Sequence, residues 1–444
     1  MGTLLIKNGT LVTMNKTRQI FKGDILVVDD RIKEIGHDLV IENCDKVIDA
    51  EGRIVIPGLI QTHIHLTQTL FRGQADDLVL MDWLKKRIWP LEASHDEESN
   101  YYSAQLGLAE LISCGTTAII DMETVNHTDV AIDAIYKSGF RAITGKCMMD
   151  YSSDVPKGML ENTEESIANS IKLMNKWHMK GDGRIRYALT PRFAVSCTEE
   201  LMTRVGNLAR EHGVHVHTHA SESPGEIAIV KKLYGMKNVE YLHKIGLTGP
   251  NLILAHCIWL DDEEMQILKD TGTKIVHCPS CNMKLSSGIA KIPELLEKGL
   301  FVSIGADGAP CNNNLDIFNE MRTAALLQKV RLMDPTALPA TDVFEMATLG
   351  GARAMGLEHE LGSLEIGKKA DIAIVDVSGP HTTPSVNVDI ISQLVYACNA
   401  SDVMTTIVDG KVLMEDRVLT TLDFNDIRKN CNRIIQDKSK NIIN

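Results

Sequence analysis

Two histidines stand one residue apart in PGLIQTHIHLTQTLFRG, residues 57–73, directly after an apolar run. On a β-strand, residues i and i+2 share a face, so His63 and His65 can present two imidazoles to one metal ion. A hydrogen-bonded pair of partly exposed histidines is the plain alternative, and further ligands elsewhere in the chain must decide. Other apolar runs end in similar groups: His215, His217 and His219 in VHVHTHASES, His256 in LILAHC, His277 in KIVHCP and Asp307 in VSIGADGAP. A histidine pair, a later histidine and an aspartate make a nitrogen-and-oxygen set suited to a divalent transition ion such as zinc. His215 and His217 alternate with Val and read as packed or hydrogen-bonded within their strand. Groups of this kind at so many run ends favour metal chemistry over coincidental packing.

Residues at the ends of separate strands converge only if those strands lie parallel and close together. From about residue 100, amphipathic helical stretches alternate with short apolar runs: YYSAQLGLAELISCG before TTAIIDM, VAIDAIYKSGF before RAITGKCM, TEELMTRVGNLAREHG before VHVHTHA, DDEEMQILKDTG before TKIVHCP, IPELLEKG before LFVSIGAD. Helices that end in Gly and feed a strand are the mark of a parallel sheet. Their recurrence between 57 and 350 favours a closed barrel over an open sheet, with catalytic groups at the C-terminal strand ends. Residues 1–56 read instead as short strands, with hairpin signals at VDDR and AEGR. The same style returns after GSLEIGKKADIAIVD and in TTIVDGKVLMEDRV, so the two flanks are expected to pair. The expected division is 1–56 and 361–422 as two parts of a small β-sandwich, 57–360 as the barrel, and 423–444 as a surface helix.

The 444 residues, 44% hydrophobic and 24% charged, suit a soluble protein with a sizeable core. A net charge of -13 argues against nucleic acid, whose binders carry basic patches. The longest apolar runs are too short for a membrane span, and the N-terminus lacks a signal-peptide pattern. Ten cysteines without framework spacing favour reduced thiols and a cytoplasmic protein. Cys278 and Cys281 form a C-x-x-C in HCPSCN, but no second pair follows at zinc-site spacing, so neither a structural zinc nor a redox role is favoured.

The stretches PGLIQTHIH, HASE, AHC, HCPSCNMKLSSGIA, GADGAPCNNNLD and GSLEIGKKADIAIVD resemble the amidohydrolase superfamily over nearly the whole chain. The likeness lies with the branch that holds adenosine-derivative deaminases, guanine deaminase and s-triazine hydrolases. It implies an α/β fold, a TIM-like (β/α)8 barrel with a small β-sandwich built from both termini. It implies His63, His65, His219 and Asp307 as ligands of one divalent ion, zinc first, with iron(II) or manganese as alternatives. No lysine matches the bridging ligand of binuclear relatives. Glu222, His256 and Asp307 are implied as the catalytic groups: Asp307 accepts a water proton, His256 orients the water, and Glu222 carries a proton to a ring nitrogen until ammonia leaves. Without the resemblance, Glu222 reads as a surface residue opening a helix.

LMDWLKKRIWPLEA resembles the nucleoside-deaminase segment, which implies Trp83 as an aromatic substrate contact and Glu92 as a ribose-binding carboxylate. An amphipathic helix with a core Trp and a solvated Glu is the bland reading. Where those deaminases show PHS, this chain has TPRFAVSCTEE, and Arg192-Phe193 resembles the pair that engages the purine in guanine deaminase. A salt bridge at the barrel rim is the other reading of Arg192, and His277 is taken as a further substrate contact. S-adenosylhomocysteine deaminases use arginines for the substrate carboxylate, whereas GKCMMDYSSDVPKGMLEN offers only Lys146 and Lys157. The expected activity is therefore hydrolytic deamination of an adenine nucleoside with a small 5′ group, 5′-deoxyadenosine or 5′-methylthioadenosine ahead of S-adenosylhomocysteine. A guanine or pterin deaminase or an s-triazine hydrolase is the alternative. A metal-free scaffold is disfavoured, because no matched ligand is lost. A small-molecule substrate and a symmetric homo-oligomer are expected.

Overall fold

The computed structural model describes residues 2–151 and 154–442. Eight short strands run parallel and pair in chain order: Leu59–Ile64, Thr116–Met122, Arg141–Gly145, Ile185–Pro191, His215–Ala220, Leu252–His256, Lys274–His277 and Val302–Ile304. The first and last meet through a parallel bridge between Ile64 and Asp307, and the Asp307 N–H donates to His63 O at 3.0 Å. That closure needs glycine: a Cβ on Gly305 would stand 2.7 Å from His63 O. The expected helix stops are present. Gly139, Gly213 and Gly272 take left-handed φ as C-caps of Thr128–Ser138, Glu199–His212 and Asp262–Thr271, turning each chain directly into the next strand.

The two chain ends meet where Arg53–Pro57 lies antiparallel to Ile372–Asp376. They build one nine-stranded mixed sheet beside the barrel. VDDR forms the expected hairpin between Ile20–Val28 and Arg31–Gly36. AEGR does not. Lys46–Asp49 and Arg53–Pro57 both run parallel to Thr3–Val12, one against each half of it. The first strand is ten residues long and hosts two short partners in series, so the chain only steps aside between them: Ala50 N–H bonds Lys7 O at 2.8 Å and Arg53 N–H bonds Ala50 O at 2.9 Å. The C-terminal helix Phe424–Ile442 is docked, laying Ile427, Cys431 and Ile434 against Leu70, Phe71 and Ala109. Those three follow the i, i+4, i+7 stripe of an amphipathic helix. No helix among the described residues is long and apolar enough to cross a membrane.

One buried ion cluster joins sheet to barrel. Arg141, opening the third barrel strand, donates Nε–H to Asp371 Oδ2 at 2.8 Å and Nη2–H to Asp371 Oδ1 at 3.0 Å, and also reaches Asp409. Burial alone would lower the guanidinium pKa, but the two carboxylates hold it above its ordinary value. Arg141→Met removes the cation and leaves both acids without it. Losing one partner of a buried pair costs about 3–5 kcal/mol, so the urea midpoint should fall by that equivalent at constant slope. A change below about 1 kcal/mol, the scale of an exposed pair, would show that this cluster does not hold the two units together.

Candidate active site

The ligand candidates gather at one end of the barrel. His63 and His65 stand at the end of the first strand, His219 near the end of the fifth, His256 at the end of the sixth, and Asp307 just past the eighth. Burial keeps three of the rings neutral: His65 is pushed down to about 3, and His63 and His219 are lowered as well. A neutral imidazole has one N–H, and the partners fix where it sits. His65 Nδ1–H donates to Met122 O at 2.8 Å and His219 Nδ1–H to Arg192 O at 2.7 Å. His63 is held by another histidine. His217 Nδ1–H donates to Ile253 O at 3.2 Å, leaving its Nε2 to accept from His63 Nδ1–H at 2.7 Å. All three rings therefore turn a bare Nε2 lone pair inward.

Those lone pairs meet no protein donor. His63 Nε2 is buried without a hydrogen-bond partner. His65 Nε2 and His219 Nε2 face each other at 3.3 Å, two acceptors that repel unless a cation lies between them. His63 Nε2 and His65 Nε2 each lie 3.3 Å from Asp307 Oδ1. Ligand atoms about 2.0 Å from a tetrahedral ion stand about 3.3 Å apart, and these three separations agree with that. Burial would raise the Asp307 pKa, but its surroundings, His256 among them, hold it far below its ordinary value, so it is anionic as a ligand must be. The donor set fits one divalent ion. The backbone is bent to make it: Asp307 and His256 have φ of 64° and 73°, which costs a non-glycine residue on the order of 1–3 kcal/mol.

Beside this set, His256 Nε2 lies 3.8 Å from Asp307 Oδ2 and 3.5 Å from Glu222 Oε2. Its ring is pinned by Nδ1–H donating to Asn282 Oδ1 at 2.9 Å. Glu222 is buried, unlike a surface residue, and its Oε1 accepts from Ser287 at 3.3 Å. Burial pushes its carboxyl up to about 7 despite the adjacent imidazole, so it can hold or release a proton near neutrality.

Leu80, Trp83, Leu84, Phe193 and Leu285 wall a cavity that opens on Glu222, His256 and Asp307, with Gln68 and Arg192 as polar members. Trp83, Arg192 and Phe193 thus line the site. Glu92 stands behind it: Arg192 Nη1–H donates to Glu92 Oε2 at 2.6 Å and Nη2–H to Oε1 at 3.3 Å, while Gln68 donates to Oε1 at 2.8 Å. Both carboxylate oxygens are taken, so the residues read separately as ribose and base contacts meet each other. His277 also lies off the cavity wall, buried, with neither ring nitrogen hydrogen-bonded and its pKa lowered by burial to about 3. Lys146 is buried against Glu161 and the Cys147 carbonyl, and Lys157 is exposed. Gln68 and Asn282 were not legible from the sequence, since the groups they bond, Glu92 and His256, lie on other segments, while His217 is hydrogen-bonded as its position in the strand suggested. The cavity holds about 20 Å³, room for about one water. A π-helical turn, Leu84–Ile88, follows Trp83, a geometry frequent at functional sites. A wider groove near Glu110 and Arg417, about 1110 Å³, lacks the converging ligands.

Residues 54–413 match the model of the amidohydrolase family. The chain is 42% identical to a 5′-deoxyadenosine deaminase of Methanobrevibacter smithii over 98% of each chain. It is 40% identical to a 5-methylthioadenosine/S-adenosylhomocysteine deaminase of Syntrophobacter fumaroxidans, over 96% of this chain and 95% of that one. Among solved structures, an adenosine deaminase from Xanthomonas campestris with bound zinc superposes with a TM-score of 0.92 at 32% identity, covering 99% of this chain and 98% of that one.

His217→Phe keeps a ring in place but removes the acceptor that orients His63. Metal affinity should drop about 10–100-fold, measured by competition with a chromophoric chelator; an unchanged affinity would mean that His63 needs no such support. Glu92→Ala leaves the Arg192 charge buried without its carboxylate, and should cost about 3–5 kcal/mol of stability, read from the urea midpoint. A midpoint within error of the parent's would show that Arg192 finds another partner.

Proposed function

The chain belongs to the amidohydrolase family, and from that premise we propose that it deaminates an adenine nucleoside by hydrolysis, releasing ammonia and the inosine analogue. The preferred substrates carry a small 5′ group, 5′-deoxyadenosine or 5′-methylthioadenosine, with S-adenosylhomocysteine behind them. The relatives' names support the class. The observation that carries the reading is the run Glu222–His256–Asp307 set directly against the inward-facing imidazoles. The engagement of Lys146 by Glu161 supports a small 5′ group, because that amine is not free to grip an amino-acid tail. Free cysteines support a cytoplasmic setting, where a homo-oligomeric enzyme of nucleoside salvage would work.

His63, His65, His219 and Asp307 would hold one divalent ion, zinc by analogy with the solved relative. When bound, it supplies Lewis acidity that brings a water's pKa from about 15.7 toward 7. The chain's own groups do the rest. Asp307 takes one proton from the attacking water and passes it to the departing amino group, which leaves as ammonia. His256, fixed by Asn282, orients the attacking oxygen through Nε2. Glu222 gives its proton to the ring nitrogen beside the attacked carbon and recovers one from the new hydroxyl as the carbonyl forms, ending the cycle unchanged. Trp83 and Phe193 pack on the base and keep water out. Arg192, held by Glu92, offers a donor to the base edge.

Glu222→Gln should lower kcat by about 10²–10⁴-fold with metal content unchanged; full activity would remove Glu222 from the mechanism. Ammonia release should be fastest from 5′-deoxyadenosine or 5′-methylthioadenosine. If guanine is fastest, the Arg192-Phe193 reading as a base-specific site prevails. If S-adenosylhomocysteine leads, the ranking by 5′ group is wrong.

A further inference from the structure

The C-x-x-C of HCPSCN takes no part in that mechanism, but one of its thiols meets a cysteine from another strand end. Cys281 lies on the helical turn Pro279–Lys284 after the seventh barrel strand, and Cys311 on the turn Ala309–Asn312 after the eighth. Those strands are parallel neighbours, so the turns leaving them lie side by side. Cys281 Sγ, Cys311 Sγ and a carboxylate oxygen of Asp307 all lie within 4.8 Å of one another. Cys281 Sγ also lies within 4.8 Å of ligand atoms of Glu222 and His256, whereas Cys278 joins neither group. Cys281 and Cys311 are both buried.

We propose that Cys281, Cys311 and Asp307 form a second cation site, beside the first, for a thiophilic divalent ion such as Cd²⁺ or excess Zn²⁺, and that filling it inhibits the enzyme. Sulfur ligands select such ions over magnesium or calcium. With metal–sulfur bonds of about 2.3 Å, neighbouring tetrahedral ligands stand about 3.8 Å apart, so atoms already within 4.8 Å need only a small side-chain adjustment. Asp307 can serve both positions, since Oδ1 faces His63 and His65 at 3.3 Å while Oδ2 faces His256. Cys311 is already oriented, with its thiol donating to Gly308 O at 3.0 Å. On binding, each thiol gives its proton to solvent, and the two thiolates balance the charge of the ion. An ion there draws on Asp307 and sits against Glu222 and His256, the groups that move protons in the proposed reaction. Inhibition therefore rests on that reading, whereas occupancy of the site does not.

The test uses the full chain loaded with one equivalent of zinc and titrated with cadmium chloride. One further ion per chain should bind, with an ultraviolet thiolate-to-cadmium charge-transfer band, and ammonia release should fall in step with the band. Cys281→Ser and Cys311→Ser should each remove the band and raise the half-inhibiting cadmium concentration at least about tenfold, the scale of losing one metal-shell group, while basal activity stays. Cys278→Ser should behave as the parent does. If one serine variant does not fold, the other still decides. No second equivalent, no band, or a band that survives in Cys281→Ser overturns the site; so does cadmium that only displaces zinc from the imidazoles, which yields no thiolate band. A band in a protein that deaminates nothing would leave the site standing and remove the reaction.

Discussion

Three neutral imidazoles pointing bare lone pairs at one another and at a carboxylate form the constraint on which this molecule is organised. Left to themselves, those groups would rotate apart or pick up protons. They do neither, because each Nδ1–H is committed behind the ring, to Met122 O, Arg192 O or His217 Nε2, and burial disfavours a second proton. The tautomer of His63 is set two residues deep, since His217 can accept only because its other nitrogen is spent on Ile253 O. A polar hole of this kind is costly until a cation fills it.

Positioning it bends the barrel where it closes. The eighth strand reaches the first across Gly305, which lies against the His63 backbone. Just beyond, Asp307 leaves the strand in the left-handed region, as His256 does on the sixth. Unfavourable backbone at these two strand ends, with the seventh strand between them, aims two side chains at one point, and the surrounding hydrogen bonds hold it there. The small terminal sheet steadies the opposite side of this frame through Arg141, which ties the third strand to Asp371 and Asp409.

In the cavity wall, the buried Arg192–Glu92 pair joins two residues that look separate in the sequence. Arg192 can stay buried in the cavity wall because Glu92 matches its charge, with Gln68 donating to the same carboxylate. Both Glu92 oxygens are engaged, so a diol could reach that carboxylate only if the pair opened.

Much of this was legible from residue order. Alternating helices and apolar runs, glycine stops at Gly139, Gly213 and Gly272, and polar residues ending each run follow from local periodicity and backbone preference, so the parallel barrel and the placement of His63, His65, His219, His256 and Asp307 could be read directly. The pairing of the two flanks was readable in outline, though AEGR misled because a turn signal does not reveal which strand its arms will pair with. What only the tertiary structure decided depends on contacts between residues far apart in the chain. His217 orients His63 across 154 positions, Glu92 is occupied by Arg192 across 100, and Cys281 approaches Cys311 from the neighbouring strand end. Spacing along a chain specifies which face a side chain shares with its near neighbours; which distant group completes its hydrogen bonds or charge is settled only when the strands close.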